Sequence, residues 1–227
     1  MSKYGYIKPW FFAFTSCLAF NSNATLVLNE IDYDQPGRDT AEYIELFNSG
    51  FSSISLDNYS IDLINGYNGL SYRSIGLSGF SIDAGSYFVI CGDAEQVTNC
   101  DYSFTTSNSW FQNGSPDAVG LFESNNLLDS LSYEGTLGIY TEGNVFAFND
   151  SNSLTQSIGR IADGFDSDNN ALDFQLNCIT PGSSNIAGAG DCSISISSAS
   201  ASAVPAPATV WLLASGLIGF LGLGRRG

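Results

Sequence analysis

Along the middle of the chain, apolar and polar residues alternate in short runs rich in β-branched and aromatic side chains, and clusters of Gly, Asn, Asp and Ser separate the runs. This pattern predicts eight strands, over residues 25–33, 43–48, 59–65, 70–75, 86–91, 118–123, 127–133 and 155–160. Turn chemistry fills the gaps: Asn65-Gly66, Asn68-Gly69, Ala84-Gly85, Asn113-Gly114 and Pro116-Asp117 stand where a positive φ or the fixed φ of proline is needed. No window of comparable length carries a 3.6-residue period with helix-forming residues, so long helices are not expected. Short strands at this spacing predict an all-β sandwich, with Phe47, Tyr59, Tyr87, Phe88, Trp110, Phe122 and Tyr133 contributing to its core.

The two ends follow other patterns. Lys3 and Lys8 precede an apolar run from Trp10 to Phe20, and Ser22-Asn23-Ala24 places small residues where a signal peptidase reads. Residues 1–24 are therefore expected to be a signal peptide cleaved after Ala24. Residues 25–192 form the domain, and 193–203 form a Ser/Ala-rich linker with little to bury. In the tail, 204–227, prolines are followed by an apolar stretch over 208–223 and then by two arginines. As a helix that stretch is about 24 Å long against a hydrocarbon core of about 30 Å, so it spans only where the flanks thin the bilayer. The arginines hold the end on the cytoplasmic side and leave the domain in the periplasm.

Charge and cysteines narrow the chemistry. Once both end segments are set aside, three arginines remain against all 23 acidic residues, a net charge of −20. No surface of that kind neutralises phosphates, so nucleic acid is excluded as a partner. There is no histidine, and both lysines lie in the signal peptide. Histidine-based triads, Cys-His pairs, His-ligated zinc and Schiff-base lysines are thereby ruled out for the mature chain. Carboxylates, hydroxyls and a metal bound through oxygen are what remain. Cys91, Cys100, Cys178 and Cys192 make an even set in an oxidising compartment, where disulfides are the default. Of the three connectivities, proximity favours Cys91 with Cys100 and Cys178 with Cys192.

Three segments in order, LNEIDYDQPGRDTAEYIELFNSG from Leu28, SWFQNGSPDAVGLF from Ser109 and SIGRIADGFDSDNNALDFQLNCITPGSSN from Ser157, resemble a bacterial lamin-tail domain over about 160 residues. The resemblance implies an immunoglobulin-like β-sandwich that serves as a binding or structural module. The tail VPAPATVWLLASGLIGFLGLGRRG resembles a PEP-CTERM signal, the tag read by exosortases. Val204, Pro205, Ala206, Pro207 and Ala208 with Arg225 and Arg226 carry that likeness, and Ala206 replaces the glutamate of the motif's name. It implies an exosortase-type processing enzyme, a transient inner-membrane anchor, delivery to the cell surface or outside the cell, and a link to exopolysaccharide or biofilm.

Two acidic clusters are candidates for chemistry. Asp163, Asp166, Asp168 and Asp173 alternate like the ligands of a calcium loop, although Ala171 and Asn177 stand where an EF-hand needs its glycine and bidentate glutamate. Calcium is accordingly the candidate cofactor. Glu30, Asp32 and Asp34 of the first strand share one face at period two and stand with Glu42 and Glu45 of the second, and convergence with Glu45 would furnish a glycosidase-like carboxylate pair. The favoured reading of this second cluster is a row of edge or outer-face charges that keep the strands soluble. Arg160, beside the acidic loop, is expected to pair with a carboxylate. The function expected is a non-enzymatic surface or matrix module that binds polysaccharide or a surface protein, with a carboxylate-dependent hydrolase of glycans as the alternative.

Overall fold

The computed structural model describes residues 25–104, 110–144, 149–188 and 192. The chain divides into two units, Met1–Cys192 and Ser193–Gly227. The second unit, the expected signal peptide over 1–24 and the expected sorting segment over 204–227 lie outside the described residues. Among the described residues, no helix is long and apolar enough to cross a membrane.

Among the described residues, thirteen strands run in the order β1 (Leu26–Asp32), β2 (Tyr43–Asn48), β3 (Ile54–Ser55), β4 (Tyr59–Asn65), β5 (Leu70–Gly76), β6 (Ser81–Ile82), β7 (Tyr87–Cys91), β8 (Tyr102–Ser103), β9 (Asp117–Glu123), β10 (Asn126–Tyr133), β11 (Ser157–Arg160), β12 (Phe174–Cys178) and β13 (Ile186–Ala187). One sheet has the order β13-β12-β11-β1-β2-β7-β8, a second has β10-β9-β4-β5, and β3 pairs with β6. All pairings are antiparallel except β7 with β8. All eight predicted strands are present within two residues of their expected ends. The only helices described are single turns, Gly138–Tyr140 and Asn170–Asp173.

Period-two alternation explains the layering. Ile44 and Leu46 of β2, Phe88 and Ile90 of β7, Ile61 and Leu63 of β4, Val119 and Leu121 of β9, and Leu131 and Tyr133 of β10 join one core drawn from both large sheets. Phe88, Trp110 and Tyr133 are in that core as expected, whereas Phe47, Tyr59, Tyr87 and Phe122 are only half-buried. Phe47 and Tyr87 pair instead with each other, ring centroids 4.9 Å apart.

The pairings of the described strands carry three register shifts, one between β4 and β5 at Leu63/Ile64 and two that meet in the interior. The β1–β2 register shifts between Leu28 and Glu30, and the β10–β9 register between Leu127 and Asp129. The first bulge lets Leu28 and Ile31, three positions apart, both face the core. The two irregularities are joined directly, because the Leu28 amide donates to Asp129 Oδ2 across the sandwich (2.7 Å).

Disulfides join Cys91 to Cys100 and Cys178 to Cys192. With loops this short, each restricts the unfolded chain by about 3 kcal/mol. Such bonds are compatible with a periplasmic or extracellular protein.

Candidate functional site

The outer face of the seven-stranded sheet is where the predicted carboxylates meet. Glu30 and Glu45 are directly opposite in register, on two strands in the middle of the sheet. Both are fully buried, so the expected edge or solvated outer-face charges are not found. The reason is a strap, residues 179–185, that crosses over them. Thr180 donates through its amide (3.1 Å) and its hydroxyl (2.9 Å) to Glu30, and the Gly182 amide donates to Glu45 Oε2 (2.6 Å). Ser157 Oγ also donates to Glu30, and Asn29 Nδ2 donates to Glu45 Oε1 (2.8 Å). Gly182 has φ +75°, and a Cβ there would run into Asn99, so glycine is required for this close approach. Two like charges face to face in a dry layer repel. Burial, with the Glu30 charge adding to it, pushes Glu45 up to about 8, so at neutral pH this acid retains a proton.

Asp32, on the same face, is also fully buried and lies beside Asp150. Burial raises both acids, Asp150 to about 7, and the Asp150 charge raises Asp32 further. Asp32 Oδ2 has no hydrogen-bond partner. Asp34 follows the end of β1 and is half-buried. Glu30, Asp32 and Glu45 thus do share a face, as the strand period predicts, but each is sealed from solvent. They lack the open cleft that an acid–base pair acting on glycans requires.

Arg160 points inward from β11 and is fully buried. Its Nη2 meets Asp129 Oδ2 at 2.7 Å, and its Nη1 lies 3.5 Å from Asp166 Oδ1 and 3.7 Å from Asp173 Oδ2. Nε donates to the Leu28 carbonyl (2.6 Å) and Nη1 to the Phe165 carbonyl (2.7 Å), while the guanidinium covers the Phe174 ring at 4.5 Å. The carboxylate pairing expected of Arg160 is present, with three acids instead of one.

The predicted calcium ligands are divided among separate tasks. Asp163 accepts from Tyr87 OH (2.8 Å), Asn29 Nδ2 (3.1 Å) and the Asn185 amide (3.1 Å), which ties it to the strap. Asp173 closes its own loop by accepting from the Ser167 amide (2.8 Å) and hydroxyl (2.7 Å). Asp168 is exposed with φ +56°. Only Asp166 belongs to a compact acidic group, and its companions are Asp129 of β10 and Glu142, with ligand oxygens within 4.8 Å of one another. Among the described residues no three of the four predicted aspartates come that close. Asp129, Glu142, Asp150 and Asn170 were not singled out by sequence reasoning. Asp129 did leave a signal, since at period two it shares the inward face of β10 with Leu131 and Tyr133.

On the surface, two adjoining depressions of about 440 and 430 Å³ share Ser86, Tyr87 and Asp101. Gly182 of the strap and Asn99 line one, and Phe80 and Asp83 line the other. This groove is shallow and polar, with Phe80, Tyr87 and Phe88 contributing aromatic rings to its lining.

The described residues thus form a two-sheet all-β domain whose buried acids are tied into its own backbone. The family model described as Lamin Tail Domain matches residues 20–135, and the chain belongs to that family. The all-β architecture, almost without helix, is consistent with the immunoglobulin-like fold of lamin-tail domains. No curated protein matches the chain.

Proposed function

We propose that the chain is an exported, non-enzymatic binding or structural module, sorted through Val204–Gly227 by an exosortase-type enzyme and delivered to the cell surface or matrix. There it attaches to extracellular polysaccharide or to a surface protein without turnover. The observation that carries this reading is the sealing of Glu30, Asp32 and Glu45 beneath other segments, which leaves the carboxylates nearest to a glycosidase pattern engaged in holding the fold. The groove at Tyr87 supports polysaccharide as the ligand class, because flat rings next to hydroxyl, amide and carboxylate groups suit sugar rings.

A glycan array probed with the full chain, followed by product analysis of each hit, tests the reading. Expected are bound glycans without released products, and loss of binding in Tyr87→Ala. Product release abolished by Glu45→Ala or Asp32→Ala would establish a hydrolase and overturn it. Intact mass of the protein from its native host tests the sorting step, and a chain that still ends at Gly227 would reject processing.

A further inference from the structure

Where β10 meets the loop after β11, three acids surround one guanidinium and a fourth lies beside two of them. Asp129, Asp166 and Asp173 surround Arg160, and Glu142 lies beside Asp129 and Asp166. Arg160 engages Asp129 through Oδ2 and leaves Oδ1 of that fully buried side chain without a hydrogen-bond partner. Glu142 uses Oε1 to accept from the Ser130 amide (2.9 Å) and hydroxyl (3.2 Å), and its buried Oε2 has no partner. A neutral residue independently shows the same vacancy of bonding. Asn170, 1 % exposed, donates its Nδ2 to the Ser130 carbonyl (2.7 Å) and its amide to the Glu142 carbonyl (3.1 Å), and its Oδ1 is unpartnered. Asn170 is therefore anchored both to Ser130, next to Asp129, and to Glu142.

Buried acceptors that lack donors are costly, and three at one place call for a single positive centre. We propose that Asp129, Glu142, Asp166 and Asn170 form a calcium site that locks the turn at Glu142 and the loop 161–170 onto β10. The donor atoms are all hard oxygens, three carboxylates and a carboxamide, with neither imidazole nor free thiol to favour zinc or copper. Calcium takes such oxygens at about 2.3–2.6 Å in flexible geometry, which suits carboxylates brought together from three separate segments. Magnesium demands near-ideal octahedral geometry and keeps several waters, which suits a dedicated all-protein cage less well. A divalent ion also offsets most of the surplus negative charge that Arg160 leaves. This site shares one predicted ligand, Asp166, with the acidic loop picked out by sequence spacing, takes Asn170 from the same loop, and does not depend on the ligand-binding function proposed above.

The full chain, purified in detergent and stripped with EGTA, is titrated with calcium while thermal melting and terbium luminescence are followed. Calcium in large excess over its dissociation constant is expected to raise the Tm by roughly 5–10 °C. Terbium is expected to bind and to be displaced by calcium. In Asp166→Asn and Glu142→Gln, which keep their acceptor oxygens, the calcium needed for half the shift should rise at least about tenfold, as ligand charge is lost. Far-UV circular dichroism confirms that each variant is folded, and Asp166→Asn at the loop serves alone where Glu142→Gln fails to fold. Absence of any shift in the wild type at millimolar calcium overturns the proposal, as does an unchanged titration in the folded variants. An equal response to magnesium overturns the choice of calcium.

Discussion

Replacing Arg160 by methionine isolates what its guanidinium contributes, because methionine keeps much of the aliphatic stem while removing every donor. Three short bonds disappear, to Asp129 Oδ2, the Leu28 carbonyl and the Phe165 carbonyl, together with the contact over Phe174. Asp129 remains fully buried, with only the Leu28 amide donating to its carboxylate. Stranding one member of a buried ion pair costs about 3–5 kcal/mol, a large part of the 5–15 kcal/mol by which domains of this kind are stable. The paired replacement Arg160→Met with Asp129→Leu removes the stranded charge as well. It should recover at least about 2 kcal/mol relative to Arg160→Met alone, leaving a residual loss from the Leu28 amide and the two carbonyls. Urea unfolding followed by circular dichroism, in EGTA at pH 7 with the disulfides intact, measures both values. A loss below about 1 kcal/mol for the single variant, or a double variant no more stable than the single one, would refute the account of Arg160 as the hub of a buried charge network.

Stability should also fall as the pH rises. Burial pushes Glu45 up to about 8 and Glu42 and Asp150 to about 7, against about 4 in an unfolded chain. Between those limits the folded state binds more protons, so the stability present near pH 4 is lost as the pH passes through 7–8. Thermal melts in one buffer series should give a lower Tm at pH 8 than at pH 5.5, and a rising Tm would contradict the burial of these acids. Glycine substitutions provide a local contrast. A Cβ at Gly66 would fall on the Pro116 carbonyl oxygen, whereas one at Gly76 meets nothing within 4 Å. Gly66→Ala is expected to cost more than about 2 kcal/mol by forcing the backbone apart, and Gly76→Ala less than about 1 kcal/mol, both read from urea midpoints.

Much of the sandwich was legible because alternation is a local property. Strands such as Tyr43–Asn48 and Tyr59–Asn65 carry their own period and their own flanking turns. β12 was missed, since Phe174–Cys178 follows an acidic loop and has its apolar residues matched to β11, a partner the local pattern does not display. The disulfide pairing was accessible for the same reason as the strands, through proximity along the chain. The site was harder. Period two correctly put Glu30 and Asp32 on one face, yet the strap that buries them comes 150 residues later, from Thr180. The acidic run 163–173 drew notice by its spacing, while the oxygens that actually cluster come from Asp129, Glu142 and Asp166 on three separate segments. Long-range pairing of this sort leaves no spacing to read.

The place of β1 in the seven-stranded sheet bears on how the domain must be made. One of its neighbours, β2, follows within a few residues, but the other is β11, where Glu30 faces Gly159. A chain that emerges N-terminus first therefore has its first strand half-paired until about two-thirds of its length has appeared. Bringing such distant strands together is slow, and an open edge with buried-type acids on it is poorly protected in the interval. The segment 20–135 that carries the family likeness ends before β11, the strap and Arg160. A fragment cut at residue 135 would leave β1 paired with β2 alone and Asp129 deprived of its arginine.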